Sequence, residues 1–575
     1  MTYLFNRPED FAAEALAGLA AAEPSYVRLH PGGVLRAHPA RAGKVAVVVG
    51  GGSGHYPAFA GLVGAGLADG AVCGDVFASP STRQVIDVCR GADRGSGVWL
   101  SFGNYAGDVL NFGAAAQRLR AQGMAVEVLA VTDDIASAPA DQTAERRGVA
   151  GDLVVFKVAG AAAEEGMSLA DVAEVATRAN DRTRSFGVAF DGCTLPGQDH
   201  RLFTLPDGAV ALGLGIHGEP GIGEEPAPTA DELAEQLVQR VLTERPAGHE
   251  NRAAVVLNGL GSVKYDELFV VWRAVAGLLE RAGLRLIAPV VGELVTSLDM
   301  AGCSLTVAWL DDELERLWLA PADTPAFKRT DTVLLPAVDA TETPAEQRLS
   351  VISAGPDGSA AGAVALAAFE AAAATLHTHE DELGELDAVA GDGDHGRGMS
   401  RGVDAALAVA RTVAAAGGDA PTVVSRAAEA WADRAGGTSG ALWGVGLLAL
   451  ADRLPADGAV AAADLTAGVR AAAEQVQAVG GAVVGDKTLV DVLVPFSDEL
   501  TRAVTEAQPA EAFSRARDVA RAAAAGTADI AARRGRSRVL GDKSIGTVDP
   551  GAASLVLLLD ALAPVLTPDA GGGTC

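Results

Sequence analysis

The sequence predicts an α/β domain followed by an all-α domain. In the first half, short β-branched runs alternate with helical stretches, a pattern typical of parallel strands joined by helices. Beyond residue 358 the chain is rich in Ala and Leu and has helical periodicity, with almost no strand signal. Between these regions Pro, Thr and acidic residues alternate without a clear period, which is typical of a linker. The predicted boundaries are 1–325 for the α/β domain, 326–357 for the linker and 358–575 for the all-α domain.

The α/β domain is predicted to consist of two α/β subdomains. The first has helices at 9–22, 109–122 and 160–178 and strands at 44–49, 98–102 and 125–132. The second has strands at 210–215, 252–257 and 284–291. Open α/β sheets bind ligands in the loops at the carboxyl ends of their strands, so side chains in these loops are candidate site residues.

Three loops that follow predicted strands carry polar side chains beside glycines. His55 ends the glycine-rich loop at 50–54, Asp108 lies in the second loop, and His217 lies in the third. By itself the glycine loop suggests a cradle for phosphate, whereas a single histidine is more often a structural hydrogen-bonding group. Because both histidines sit beside glycines on loops rather than on apolar faces, they are candidates for binding or catalysis.

The all-α domain opens with an acidic turn that suits a hard cation. Asp387, Asp392 and Asp394 lie within eight residues, and glycines alternate with two of them. Carboxylate oxygens without nearby cysteine favour Mg²⁺ or Ca²⁺ over zinc, and Mg²⁺ sites leave coordination positions for phosphate oxygens. A solvated acidic turn is the alternative, because Asp-Gly pairs are common turn formers.

Three further glycine clusters lie between helical segments of the same domain. They occupy 436–440, 485–488 and 541–546, and the nearby cations are Lys487, Arg536 and Lys543. Glycine loops at helix N-termini present free N–H groups to phosphate, although glycine is also an ordinary helix C-cap. None is a P-loop, since GxxxxGK[ST] does not occur. Beside three carboxylates, the clusters indicate Mg²⁺ and a polyphosphate.

Composition excludes several other classes of function. A net charge of −29 argues against nucleic acid or an anionic membrane surface as a partner, although a divalent metal can still screen a phosphorylated ligand. The five cysteines contain no CxxC pair, so neither a disulfide framework nor a zinc site is predicted. The N-terminus does not resemble a signal peptide, and no segment reaches about 18 uncharged apolar residues. A cytoplasmic protein is expected.

Two sets of motifs resemble the dihydroxyacetone kinase family. The α/β domain resembles its substrate-binding domain in GGGSGH at 50–55, DVFASPS at 75–81, GNYAGDVLNF at 103–112 and GIHGEPG at 215–221. The all-α domain resembles its nucleotide-binding domain in GDGDHG at 391–396, GGTSG at 436–440, GDKT at 485–488 and GDKSIG with DPGA at 541–552. Together the motifs extend over almost the whole chain.

The resemblance implies a nucleotide site in the all-α domain, which would be an eight-helix antiparallel barrel. Three aspartates would hold two Mg²⁺ ions on the phosphates of ATP, namely Asp387, Asp392 and Asp394. The implied nucleotide contacts are His395, Gly396, Arg397, Gly398, Thr438, Ser439, Gly480, Leu489, Arg536, Asp549, Pro550 and Gly551.

The resemblance also implies a ketone site in the α/β domain. His217 would form a covalent hemiaminal with the substrate carbonyl, which fits the ability of a neutral imidazole to attack a ketone. Asp108 and His55 would bond the substrate hydroxyls, and one or both would accept the proton lost during phosphoryl transfer. The implied substrate contacts are Gly52, Ser53, Gly54, His55, Ser79, Asp108 and His217.

The predicted activity is ATP-dependent phosphorylation of a terminal hydroxyl of dihydroxyacetone (glycerone), by a homodimer. Many family members read GHEPAH where this chain has Tyr56 and Phe59, and a Glu is frequent where it has Ala211. These differences affect substrate size, so a D- or L-erythrulose kinase is the alternative. A ketose-sensing regulator and a lyase that cyclises FAD are further alternatives from other classes.

Overall fold

A computed structural model describes residues 2–219, 221–246, 251–330, 354–389, 391–456, 458–534 and 541–567. The chain divides into two units, Met1–Ala337 and Val338–Cys575. The first is α/β and the second is all-α in its described residues, which confirms the predicted fold class. Most of the predicted linker at 326–357 lies outside the described residues, so the domain boundaries stay a prediction.

The first sheet of the α/β unit is mixed. Its order is β1-β2-β4-β3-β5-β6, where β3 to β6 are parallel and β1 and β2 pair antiparallel. The central strand is buried on both faces, which explains its continuous apolar run. The strands are β1 (Val27–His30), β2 (Gly33–Arg36), β3 (Ala46–Ser53), β4 (Gly70–Val76), β5 (Val98–Gly103) and β6 (Val126–Val131). The helices are α1 (Phe11–Ala22), α2 (Thr82–Ala92), α3 (Ala106–Ala121), α4 (Asp152–Glu165) and α5 (Leu169–Asp181).

The second sheet is mainly antiparallel, unlike the parallel layers predicted for the first α/β region. Only β11 and β12 run parallel to their neighbour β10, because a helix connects them to it, whereas β8 and β9 form a hairpin. The strands are β7 (Thr183–Asp191), β8 (Ala209–Leu212), β9 (Gly223–Pro226), β10 (Arg252–Gly259), β11 (Arg285–Leu286), β12 (Val290–Glu293) and β13 (Ala301–Trp309). The helices are α6 (Ala230–Thr243), α7 (Tyr265–Arg281) and α8 (Asp312–Leu319), and a two-stranded ribbon follows, β14 (Ala322–Asp323) with β15 (Lys328–Arg329).

Two predicted elements are interrupted in the structure. The helix expected at 160–178 is two helices, because Gly166 ends α4 at a φ of 90° and Ser168 caps α5. The strand expected at 284–291 is β11 and β12, since Pro289 between them has no N–H to donate to a ladder.

The second unit contains nine described α-helices, one more than the family resemblance implies. The extra one is α10, which is separated from α9 at His379. The helices are α9 (Pro356–Thr378), α10 (Glu380–Ala388), α11 (His395–Ala415), α12 (Ala420–Ala435), α13 (Gly437–Ala451), α14 (Ala462–Gly480), α15 (Val490–Ala503), α16 (Pro509–Gly526) and α17 (Pro550–Leu566). Closure of these helices into a barrel stays a prediction.

One described helix, α9, is long and apolar enough to cross a membrane by length and composition alone. This is weak evidence, because core helices of globular proteins meet the same criterion. Phe369 and Leu376 of α9 are buried in a cluster with side chains of α11 and α12, as expected for a core helix.

Candidate active site

His55 is held in one tautomer by a backbone carbonyl. It follows the glycine-rich end of β3 and is only 2% exposed. Its Nδ1 lies 2.7 Å from the carbonyl oxygen of Thr296. Because a carbonyl oxygen only accepts, Nδ1 carries the proton and Nε2 presents its lone pair to the site.

His217 lies in the loop that follows β8, and this loop joins β8 to β9 in an antiparallel hairpin. Its Nε2 lies 3.0 Å from Nε2 of His55, and its Nδ1 lies 2.8 Å from Oε1 of Glu219. The backbone N–H of His217 also donates to Glu219, at 3.0 Å. The imidazole is therefore bonded on both ring nitrogens, and its side chain is 22% exposed.

The two side chains that flank His217, Glu219 and His55, both have lowered pKa values. Burial opposes ionisation of Glu219, but the hydrogen bond and charge of His217 lower its pKa to about 2. Burial, with the neighbouring His217, lowers the pKa of His55 to about 3. Because Nε2 of His55 presents a lone pair, Nε2 of His217 is the donor in the 3.0 Å contact between the two rings.

Aromatic side chains fix the plane of His217. The ring centroid of Tyr105 lies 4.7 Å from that of His217 at an interplanar angle of 89°. Phe77 lies 5.2 Å away at 86° and stacks on His55. Sequence analysis did not single out Glu219, Tyr105 or Phe77, although each lies in one of the motifs quoted for the family resemblance.

Asp108 lies in the first turn of α3 and is 8% exposed. It accepts a hydrogen bond from Oγ of Ser79 at 2.8 Å. Burial raises the pKa of Asp108, while the Ser79 bond and the charge of His217 oppose that rise. A carboxylate with a raised pKa is a stronger proton acceptor than an exposed one.

The glycine loop packs its backbone against the turn after β4. A side chain on Gly52 would place its Cβ 2.9 Å from the backbone nitrogen of Ala78, and one on Gly54 would meet the Phe77 ring at 2.8 Å. Oγ of Ser53 donates to the carbonyl of Gly74 at 2.7 Å. Ser53 therefore fastens this loop to β4, which is a positioning contact rather than a demonstrated substrate contact.

Phe59 lies behind the glycine loop and not on its open side. It is 6% exposed, and a Cβ on Gly51 would meet its ring at 2.6 Å. Its ring centroid lies 6.5 Å from that of the core residue Phe156. Tyr56 is about half exposed, and Ala211 is buried within β8. Of the three departures from the family pattern, only Tyr56 is at the surface.

In the helical unit, the three predicted metal ligands converge. Asp387 lies in the last turn of α10, Asp394 is the N-cap of α11, and Asp392 lies between them. One ligand oxygen from each lies within 4.8 Å of those of the other two. The backbone N–H of Asp394 donates to Oδ2 of Asp387 at 3.1 Å, which orders the turn. Three converging carboxylates fit Mg²⁺.

His395 joins the N-termini of three helices. It is the first residue of α11, and burial lowers its pKa. Its Nε2 lies 3.0 Å from Oγ of Ser554 in α17, and its Nδ1 lies 3.5 Å from Oγ of Ser439 in α13. Because each helix N-terminus presents unpaired N–H groups, their meeting point suits phosphate.

Most of the other predicted nucleotide contacts also lie at helix ends. Asp549 caps α17 through the N–H of Ala552 at 2.8 Å, and a Cβ on Gly551 would lie 3.4 Å from Leu489. The first turns of α11, α13 and α17 contain Gly396, Arg397, Gly398, Thr438 and Pro550. Gly480 ends α14, where its nearest described side chain is Leu442, and Arg536 lies outside the described residues.

Lys487 is not available to bind phosphate, contrary to its prediction as a nearby cation. Its side chain is buried, and its Nζ donates to the carbonyl oxygens of Ile530 at 3.2 Å, Ser544 at 2.5 Å and Thr547 at 2.7 Å. An ammonium has three N–H donors, so these three acceptors use all of them.

Comparison with known proteins identifies the family. The Dak1 domain model matches residues 17–326, and the DAK2 domain model matches residues 389–564. The chain belongs to the dihydroxyacetone kinase family. As a member of that family, with both domains in one chain, it is an ATP-dependent ketose kinase.

Similar proteins are known over the full length of this dihydroxyacetone kinase family member. It is 54% identical to the L-erythrulose kinase of Pectobacterium atrosepticum, over 99% of this chain and 97% of that protein. It is 52% identical to the D-erythrulose kinase of Mycolicibacterium smegmatis, over 99% of both. The dihydroxyacetone kinase of C. freundii in complex with AMP-PNP and Mg²⁺ matches with a TM-score of 0.59 at 32% identity, over 98% of this chain and 99% of that one.

Proposed function

We propose that this ketose kinase transfers the γ-phosphoryl group of ATP to a terminal hydroxyl of erythrulose. The substrate is supported by two relatives, 54% and 52% identical, that are named erythrulose kinases. Dihydroxyacetone, the substrate predicted first from the sequence, becomes the second candidate, because erythrulose agrees better with the names of these two relatives. The two relatives are named for opposite enantiomers, so both enantiomers enter the test.

The 3.0 Å contact between the Nε2 atoms of His55 and His217 supports our proposal that His217 bonds covalently to the ketone carbon of the substrate. Attack on the ketone requires the lone pair of Nε2 of His217, so its proton leaves through the contact with Nε2 of His55, which holds it only in passing because the pKa of His55 is about 3. The Nε2–C bond then forms as the C=O π bond opens. His55 passes the same proton to the carbonyl oxygen, which becomes a hydroxyl. The adduct keeps its Nδ1 proton facing Glu219, and the proton lost from Nε2 ends on the new hydroxyl, so no proton is exchanged with solvent.

Asp108 is proposed as the base in phosphoryl transfer. Nε2 of His55 is bonded to His217, whereas the carboxylate of Asp108 accepts its side-chain hydrogen bond from a neutral hydroxyl, that of Ser79. Its pKa is raised by burial, which favours acceptance of the proton from the attacking hydroxyl. This assigns the two roles that sequence analysis left open between His55 and Asp108.

ATP is proposed to bind where α11, α13 and α17 meet, with Mg²⁺ on Asp387, Asp392 and Asp394. When bound, Mg²⁺ would offset negative charge on the phosphate oxygens. The solved relative with AMP-PNP and Mg²⁺ supports this class of ligand. Two ions per nucleotide, as the resemblance implies, stay a prediction.

Initial rates of ADP formation with D-erythrulose, L-erythrulose and dihydroxyacetone test the substrate. We expect kcat/KM for one erythrulose enantiomer to exceed that for dihydroxyacetone at least about tenfold, a difference of about 1.4 kcal/mol in transition-state binding. A higher value for dihydroxyacetone would favour the second candidate. Ketose-independent ADP release, or FAD cyclisation without ketose phosphorylation, would contradict the kinase proposal.

We also propose that the protein acts as a homodimer, as the family resemblance implies. His217→Ala removes the ketose site and Asp392→Ala removes a metal ligand, so each variant alone should be inactive. If ketose and nucleotide are supplied by different subunits, mixing and re-equilibrating the variants restores activity. A monomer by sedimentation would contradict the homodimer, and mixed variants that remain inactive would contradict the supply of ketose and nucleotide by different subunits.

A further inference from the structure

Lys487 belongs to the GDKT motif, but its ammonium group is not a free cation, because it donates to three carbonyl oxygens. The residue is 6% exposed, and its backbone is left-handed, with a φ of 63°. That conformation costs free energy for a residue with a Cβ, and surrounding contacts must hold it. The three carbonyl bonds of Nζ supply such contacts.

The three carbonyls come from both ends of one segment. Ile530 follows the end of α16, whereas Ser544 and Thr547 lie just before α17. A single side chain therefore ties the loop before α15 to the two ends of residues 527–549, of which 535–540 lie outside the described part. Asp486, the neighbouring residue, adds a bond from its carbonyl to the N–H of Arg533 at 3.1 Å.

The tied segment leads directly into the proposed nucleotide site. The N–H of Gly546 donates to the carbonyl of Ala528 at 2.8 Å, and the N–H of Asp549 donates to Oγ1 of Thr527 at 2.9 Å. These bonds place the first turn of α17, which begins at Pro550. On the other side of Lys487, Leu489 lies against Gly551.

We infer that Lys487 is a positioning residue that fixes the start of α17 for nucleotide binding, by tying the 527–549 segment to the loop before α15. This inference rests on the proposed function for its kinetic consequence, though not for its structural one. It differs from the prediction of Lys487 as a nearby cation, since no N–H of the ammonium is left for a phosphate.

Lys487→Met tests the inference, because it keeps much of the side-chain volume and removes all three donors. We expect amide hydrogen exchange within 527–534 and 541–549 to become at least tenfold faster without nucleotide. We expect KM for ATP to rise at least tenfold, with KM for the ketose and the covalent adduct mass unchanged. Lys264→Met, the same change at an exposed lysine of α7's N-terminus, is the matched control and should alter none of these.

Ser544→Ala provides a second route if Lys487→Met does not fold. Oγ of Ser544 accepts from the N–H of Ala532 at 2.9 Å and donates to the carbonyl of Gly541 at 2.6 Å, so its loss loosens the same segment while Lys487 stays. We expect Ser544→Ala to raise KM for ATP and to leave KM for the ketose unchanged.

Unchanged hydrogen exchange in Lys487→Met would overturn the inference, as would an unchanged KM for ATP in an active variant. Failure of the proposed function looks different, because the wild-type protein would then phosphorylate no ketose. Even then, faster amide hydrogen exchange in Lys487→Met would show that Lys487 holds residues 527–534 and 541–549 in place.

Discussion

At the scale of single residues, the ketose site is organised around one imidazole. Glu219 accepts a hydrogen bond from Nδ1 of His217, His55 faces its Nε2, and two aromatic rings hold its plane. The sequence motifs identify His217 and His55 as candidates. They do not identify Glu219 as a partner, because glutamate two residues away on a loop has no fixed orientation until the hairpin is formed.

Glu219→Gln should slow capture of the ketose. An amide oxygen can still accept from Nδ1, but it cannot balance the charge of the imidazolium that forms. We expect adduct formation, followed by mass spectrometry of the intact protein, to slow by about 10²-fold. His217→Ala is the control that should form no adduct, and an unchanged rate in Glu219→Gln would contradict this role.

His55 should make stability depend on pH. Its pKa is about 3 in the folded protein and about 6.5 when unfolded, so the unfolded chain binds the extra proton between these values. The free energy of unfolding should fall by about 2 kcal/mol more in wild type than in His55→Gln between pH 6.5 and pH 5. Urea unfolding at constant ionic strength measures the difference, and equal slopes would contradict the assignment.

At the scale of elements, the antiparallel second sheet decides how His217 is presented. The alternation of strands and helices predicts β3, β5 and β6 of the first sheet, because continuous apolar runs mark buried strands, but it does not predict β1, β2 or β4. It does not report strand direction, so β7, β13 and the β8–β9 hairpin were not anticipated. The helical unit is easier to predict, because its apolar residues recur with the single spacing of an α-helix.

Arg147 fastens the hairpin that carries His217. It donates to the carbonyl of Gly213 at 3.0 Å and pairs with Asp134 at 2.8 Å, where Asp134 is nearly fully buried. Arg147→Met should cost roughly 3 kcal/mol of stability, because it leaves a buried carboxylate unpaired. It should also raise KM for the ketose.

The double variant Arg147→Met with Asp134→Asn separates these two effects. The asparagine keeps an oxygen for the N–H of Ala136, 3.0 Å away in the native protein, and removes the buried charge. We expect stability to recover while KM for the ketose stays high. Recovery of both would mean that the Gly213 contact does not position His217.

At the scale of the whole molecule, the two units should respond to different ligands. A ligand that binds only the folded state stabilises it by about 2.7 kcal/mol at 100 times its Kd. We expect ketose to protect amides of the α/β unit and Mg²⁺ with ADP to protect those of the helical unit. His217→Ala should lose only the first effect and Asp392→Ala only the second, measured by hydrogen exchange.

The burial of Phe59 limits how this enzyme could be redesigned. Grafting the GHEPAH pattern would put an imidazole beneath Gly51 in a space shaped for a phenyl ring, at a cost of roughly 1–3 kcal/mol for an unbonded polar group. Tyr56 can be exchanged at the surface without that penalty. A change at Phe59 therefore calls for joint redesign of the core around Phe156, since a two-residue loop transplant would lower the free energy of unfolding.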